Sequence, residues 1–170
     1  ELLLPIHSRW KAVVGYSMGG RLALALALRH PELFGGMVLE SASPGIADPT
    51  ARDERLTADL RLATDLRAGD IREFLARWYR QPLFAGTRDV ARLIRERSEG
   101  DPRSLAAALE WLSSGRQPNY APALSRDWGK PLLCVAGELD PKYAALMGAL
   151  AGSVPGARFH LVAESGHNVP

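Results

Sequence analysis

The stretch KAVVGYSMGGRLALALALRHP, Lys11 to Pro31, sets a serine between two glycines where a short apolar run becomes an alanine and leucine repeat. Residues 11–16 have the length and apolarity of a buried strand. Met18 to His30 has no breaker after Gly20 and stops at Pro31, so it reads as a helix. Gly15, Ser17 and Gly19 therefore spell G-x-S-x-G at a strand-to-helix turn, the context that motif requires. So sharp a turn holds the serine in a strained backbone conformation, and side chains larger than hydrogen on the flanking glycines are expected to collide with neighbouring elements. Ser17 then stands at a helix N-terminus, where unpaired amides and the helix dipole favour negative charge, and the Met18 amide can donate to an oxyanion.

The same alternation continues along the chain. The segment LFGGMVLESASPG reads as a second strand ending near Ser41 to Gly45. Near the end, PLLCVAGELD reads as a strand, PKYAALMGALAGSVPG as a helix and ARFHLVAESGH as a strand. Near-continuous apolar strands alternating with helices imply an α/β fold with a parallel sheet covered on both faces. From Pro49 to about Leu124 the pattern is helical, with segments over 51–69, 71–81, 87–100 and 102–115 separated by glycine and proline. The expected organisation is one domain over residues 1–170, with residues 49–124 inserted as a helical cap above the ligand edge of the sheet.

Composition narrows the function classes. The chain is 46% hydrophobic and 24% charged with a net charge of +2, an ordinary globular balance. Lys11, Lys130 and Lys142 are the only lysines, and no basic run is dense enough for a nucleic-acid stripe. No apolar stretch approaches the roughly 20 residues of a membrane span. A single cysteine, Cys134, lies in an apolar run and reads as a buried structural thiol, which suits the cytoplasm. The opening at Glu1 has neither an initiator methionine nor the pattern of a signal peptide, so an internal piece of a longer protein is expected. Nothing in the composition points to an oligomeric state.

A serine nucleophile or base needs a histidine, and the histidine an orienting acid, in the order Ser, Asp or Glu, His. Asp140 follows the strand PLLCVAG and His167 follows the last strand in AESGH, so both are expected on loops at the sheet edge that carries Ser17. Glu40 also ends a strand and is the rival acid, with Asp140 preferred; Glu138 is expected to point aside. His30 at a helix end, His160 within a strand and His7 ahead of one lack the loop placement of a mobile base.

The segments GYSMGGRLAL, VLESASPG, WYRQPLF, GELDPKY and AESGHN together resemble the α/β-hydrolase-fold enzymes of menaquinone biosynthesis that act as 2-succinyl-6-hydroxy-2,4-cyclohexadiene-1-carboxylate synthases. The resemblance implies a cofactor-free and metal-free lyase in which Ser17, His167 and Asp140 abstract a ring proton and pyruvate is eliminated. It implies a polycarboxylate substrate held by Arg21, Arg55 and Arg97, with Tyr16 and Trp78 on the pocket wall. Solvated helix faces are the plain alternative for the arginines, and cap core the alternative for Trp78. Gln117 and Pro118 match the family without an assigned role. The family also implies N-terminal strands with a histidine-glycine loop and a closing helix, so a partial sheet is expected. The competing functions are a serine hydrolase of the same fold and a non-catalytic fragment.

Overall fold

The computed structural model describes residues 11–169; His7 and the segment ahead of Lys11 lie outside the described residues. The elements are β1 (Ala12–Tyr16), α1 (Ser17–Arg29), β2 (Gly36–Glu40), α2 (Pro49–Ala68), α3 (Ile71–Trp78), α4 (Val90–Arg97), α5 (Pro102–Trp111), α6 (Ala121–Asp127), β3 (Leu132–Gly137), α7 (Pro141–Ser153) and β4 (Arg158–Val162). All four strands are parallel and neighbour one another in chain order.

That order decides where the helices lie. Successive strands step in one direction, and right-handed crossovers then place their helices on one face. Leu24 and Ala27 of α1, Leu124 of α6 and Met147 and Leu150 of α7 form one cluster with Met37, Leu39, Leu132, Cys134 and Ala136 of the sheet. Among the described residues the opposite face carries Val14, 68% exposed, in register with Val38 and Leu133. Apolar residues in both phases of a strand led to the expectation of two covered faces, whereas these crossovers cover one.

The helices between β2 and α6 have a core of their own. Ala63 and Leu66 of α2, Phe74 and Leu75 of α3, Tyr79 and Ala106 of α5 are buried together. The side chains of Asp48, Asp70, Asp89 and Asp101 each accept a backbone amide at the start of α2, α3, α4 and α5. Each such cap contributes about 1 kcal/mol. Arg67 of α2 grips Glu110 of α5 through both guanidinium ends. The expected insertion of residues 49–124 takes in the start of α6, yet Leu124 and the following Trp128 pack under the sheet. Helical periodicity alone does not distinguish the two layers.

Candidate active site

Ser17 begins α1 at φ +49°, the left-handed region that non-glycine residues seldom occupy. Room for the turn comes from Gly15 and Gly20. A methyl on Gly15 would stand 2.5 Å from the Gly20 Cα, and one on Gly20 would stand 2.5 Å from the Ala42 Cβ. Among the described residues a methyl on Gly19 meets nothing within 4 Å, so the crowding expected at the motif's second glycine falls on its neighbour. Among the described residues no side chain caps the start of α1, and its first turn holds no acid. The Met18 amide thus lies in a helix terminus whose dipole favours an anion.

Asp140 lies beyond the end of β3, which closes at Gly137, and serves as the N-cap of α7. Its Oδ1 accepts the Tyr143 amide at 3.2 Å while its Oδ2 lies 2.6 Å from His167 Nδ1. His167 Nε2 lies 2.9 Å from Ser17 Oγ. With Asp140 ionised, Nδ1–H donates to it and Nε2 is left as an acceptor for the serine hydroxyl. Asp140 and His167 are 5% and 4% exposed, so this relay is shielded from water, whereas Ser17 is half-buried. A methyl on Gly137 would stand 2.1 Å from the Gly166 carbonyl oxygen, which shows how tightly the His167 loop seats on the end of β3.

The rivals have other partners. Glu40 accepts the Val169 amide at 2.8 Å, and Glu138 accepts the Glu164 amide at 3.1 Å. His30 sits 3.6 Å from Glu32, and His160 lies within β4.

Two tyrosines flank the imidazole. Tyr143 meets the His167 ring edge-on at 4.5 Å between centroids, and Tyr16 lies at 5.4 Å. Burial, with Glu40 adding to it, pushes the Tyr16 hydroxyl up to about 12, against the opposing charge of Arg97. Burial also raises Tyr143, which Arg55 and Arg21 oppose. The charges of α1, α2 and α4 therefore reach the surroundings of His167. Tyr143 was not singled out from sequence, although its place three residues after the capping Asp140 marks it as the first-turn residue nearest the acid.

The remaining expected residues divide. Arg21 is half-buried, and it donates from Nη1 to Gln117 Oε1 at 3.2 Å and from Nη2 to the Leu112 carbonyl at 2.6 Å. Its fork ties α1 to the end of the cap. Gln117 completes the tie by donating to the Ser43 carbonyl at 3.0 Å. Arg55 is 42% exposed and paired through Nε with Asp59. Arg97 places its guanidinium carbon 5.7 Å from the centre of the Tyr79 ring. Trp78, partly buried, stacks on Phe74 at 6.0 Å and meets Phe84, and it also lines a groove with Phe74, Arg77 and Gln81. Two grooves on the helices that follow β2, one along Thr57 to Asp65 and one beside Phe74 and Trp78, have none of Ser17, Asp140 and His167 in their walls. Among the described residues no three or more His, Cys, Asp or Glu side chains gather as a metal site requires, and no helix is long and apolar enough to cross a membrane.

Known proteins share this architecture. A 2-succinyl-6-hydroxy-2,4-cyclohexadiene-1-carboxylate synthase of Escherichia coli O1:K1 / APEC is 37% identical over 159 residues, covering 92% of this chain and 60% of the relative. A protein of Bacillus subtilis (strain 168) named as a putative synthase of that kind is 34% identical over 162 residues, covering 92% of this chain and 59% of its own length. The chain thus spans about three fifths of these relatives. The solved structure of MenH from S. aureus superposes with a TM-score of 0.86 at 33% identity, covering 92% of this chain and 60% of that one. A thermophilic esterase from Thermogutta terrifontis, at 22% identity and a TM-score of 0.69, shares the fold. The sequence profile described as alpha/beta hydrolase fold matches residues 3–170, and the chain belongs to the α/β-hydrolase-fold family.

Proposed function

We propose that this chain carries the catalytic portion of a 2-succinyl-6-hydroxy-2,4-cyclohexadiene-1-carboxylate synthase, a carbon-oxygen lyase of menaquinone biosynthesis. Its substrate is 2-succinyl-5-enolpyruvyl-6-hydroxy-3-cyclohexene-1-carboxylate. The names of substrate and product fix the electron flow. The ring double bond moves from C3–C4 to a C2–C3 and C4–C5 diene, so a proton leaves C2, beside the succinyl ketone, and the C5–O bond breaks. The enolpyruvyl oxygen departs with the bonding pair and is released, after protonation, as pyruvate.

In this reading His167 Nε2 draws the proton of Ser17 Oγ, and the serine oxygen removes the C2 proton. Asp140 holds the imidazole in the tautomer this demands and stabilises the imidazolium that forms. Negative charge developing on the ketone oxygen is met by the Met18 amide at the uncapped start of α1. The observation that carries the reading is the Asp140–His167–Ser17 relay of 2.6 and 2.9 Å, flanked by Tyr16, which feels the charge of Arg97, and Tyr143, which feels those of Arg55 and Arg21. Three carboxylates on the substrate suit three guanidinium groups.

The test is release of pyruvate from that substrate, followed with lactate dehydrogenase. Ser17→Ala is expected to lower kcat by at least ~10²-fold, the scale of a lost general base, with substrate binding largely kept. An acyl-enzyme burst with an activated ester, and no pyruvate from the enolpyruvyl substrate, would replace the lyase with a serine hydrolase.

A further inference from the structure

The cap holds a buried carboxylate to which neither the family resemblance nor the mechanism gives a part. Asp59 of α2 is 2% exposed. A carboxylate taken that far from water is costly unless it is fully partnered. Arg55, one turn earlier, donates from Nε to both of its oxygens, at 3.0 and 2.9 Å. Ser113, beyond the end of α5 and 4% exposed, donates its hydroxyl to Asp59 Oδ2 at 2.7 Å. A carboxylate paired with Arg55 only accepts, so Ser113 is the donor, and its oxygen in turn accepts the Gly115 amide at 3.0 Å. The loop itself cannot drift: a methyl on Gly115 would stand 2.6 Å from both the Arg52 carbonyl oxygen and the Leu56 nitrogen of α2.

This pairing is one-sided. Among the described residues Asp59 engages the guanidinium through Nε, and the Nη1 and Nη2 end, the planar fork that matches a carboxylate, makes no hydrogen bond. The Arg55 side chain is 42% exposed while its anchor is buried. Asp59 also offsets the like charge that Arg55 presents to Arg21, so two guanidinium groups can stand near one another before any anion arrives.

We infer that Asp59, fixed by Ser113, is a positioning residue that holds Arg55 with its free fork toward a carboxylate of the substrate. The inference rests on the proposed reading of Arg55 as a carboxylate-binding group. A merely structural Asp59 would stabilise the α2–α5 contact and act equally whether or not Arg55 is present.

Calorimetric binding of succinate, a dicarboxylate probe that needs no turnover, separates the two. The proteins compared are wild type, Asp59→Asn, Ser113→Ala, Arg55→Ala and the two double variants that combine Arg55→Ala with each of the others. Losing an aligned charge-assisted partner is expected to weaken succinate roughly tenfold in Asp59→Asn and by less in Ser113→Ala, with no further loss in either double variant. Asp59→Glu should recover part of the affinity. In turnover the same variants should raise KM more than they lower kcat. Should Asp59→Asn fold poorly, Ser113→Ala decides. Succinate affinity kept in Ser113→Ala and Asp59→Asn but lost in Arg55→Ala overturns the positioning role. Equal losses with and without Arg55 also overturn it, and no succinate binding by wild type removes the carboxylate site itself. Absence of pyruvate release, with the succinate pattern intact, overturns the synthase reading and leaves the positioning of Arg55 standing.

Discussion

Glu40 at the end of β2 accepts the Val169 amide at 2.8 Å, and in doing so pins the far side of the loop that carries His167. The acid that rivals Asp140 in the sequence therefore holds the His167 loop, while Asp140 contacts the imidazole itself. Glu40→Ala should lower pyruvate release roughly tenfold, the scale of one lost charge-assisted hydrogen bond, whereas Asp140→Ala should cost ~10³-fold or more. Equal effects in the two variants would assign the acid wrongly.

The two glycines after the serine should respond in opposite ways to alanine. On Gly20 the new methyl must stand 2.5 Å from the Ala42 Cβ and 2.7 Å from the Gly15 carbonyl oxygen, so α1 has to shift. Overpacking of that kind costs about 1–3 kcal/mol. On Gly19, inside α1 and open among the described residues, alanine should stabilise by about 0.5–1 kcal/mol through helix propensity. Urea denaturation midpoints of the two variants check both signs.

These contrasts mark what the sequence makes legible. Ser17, Asp140 and His167 each follow a strand, and a parallel sheet brings the carboxyl ends of its strands to one edge, so local pattern suffices to place them together. Cap contacts follow no such rule. Asp59 is within reach of Arg55 by i,i+4 spacing, a signal present in the sequence, yet its other partner, Ser113, lies 54 positions away and depends on how α5 crosses α2. Gln117 matches the family without a role because its partners, Arg21 and Ser43, belong to different elements. Trp78 has the spacing of a core residue, and it lies partly buried against Phe74 and Phe84.

Cys134 is fully buried between the sheet and its helices, and burial pushes its thiol up to about 11. Both factors suppress the thiolate that reacts with disulfide reagents. Native protein should therefore release no thionitrobenzoate on the timescale of mixing, and one equivalent should appear when guanidinium unfolds the chain. Rapid reaction in the native state would show that α1, α7 and the sheet open readily.

Tyr16 lies beside Ser17, yet its hydroxyl is held protonated. Its folded value of about 12 stands above the ordinary 10.0, chiefly through the partial burial of a ring that is still 39% exposed, so solvent screens much of the effect. Between those values the folded chain retains a proton that the unfolded chain has lost. The associated stability is thus complete below pH 10 and declines as pH rises through 12. Ultraviolet titration of tyrosinate should show a late component that Tyr16→Phe removes. An unshifted Tyr16 component near 10 would mean that the ring is better hydrated than its packing against His167 implies.

Arg21 makes a prediction that separates its charge from its shape. One turn beyond Ser17, it spans two acceptors of the cap, Gln117 Oε1 and the Leu112 carbonyl, from two different nitrogens. Gln117 passes the connection to the Ser43 carbonyl, and the Tyr120 amide donates to the Pro44 carbonyl at 2.7 Å, so the returning end of the cap is stitched to the segment leaving β2. Lysine keeps the positive charge but offers a single nitrogen, which cannot replace the fork. Arg21→Lys should therefore preserve the field at Tyr143 while destabilising the chain by about 1–3 kcal/mol. Amide hydrogen exchange should quicken across residues 112–120 and remain unchanged in β1 to β4. If exchange across that segment is unaltered, residues 112–120 are held by contacts other than those of Arg21, whose part is then confined to the substrate.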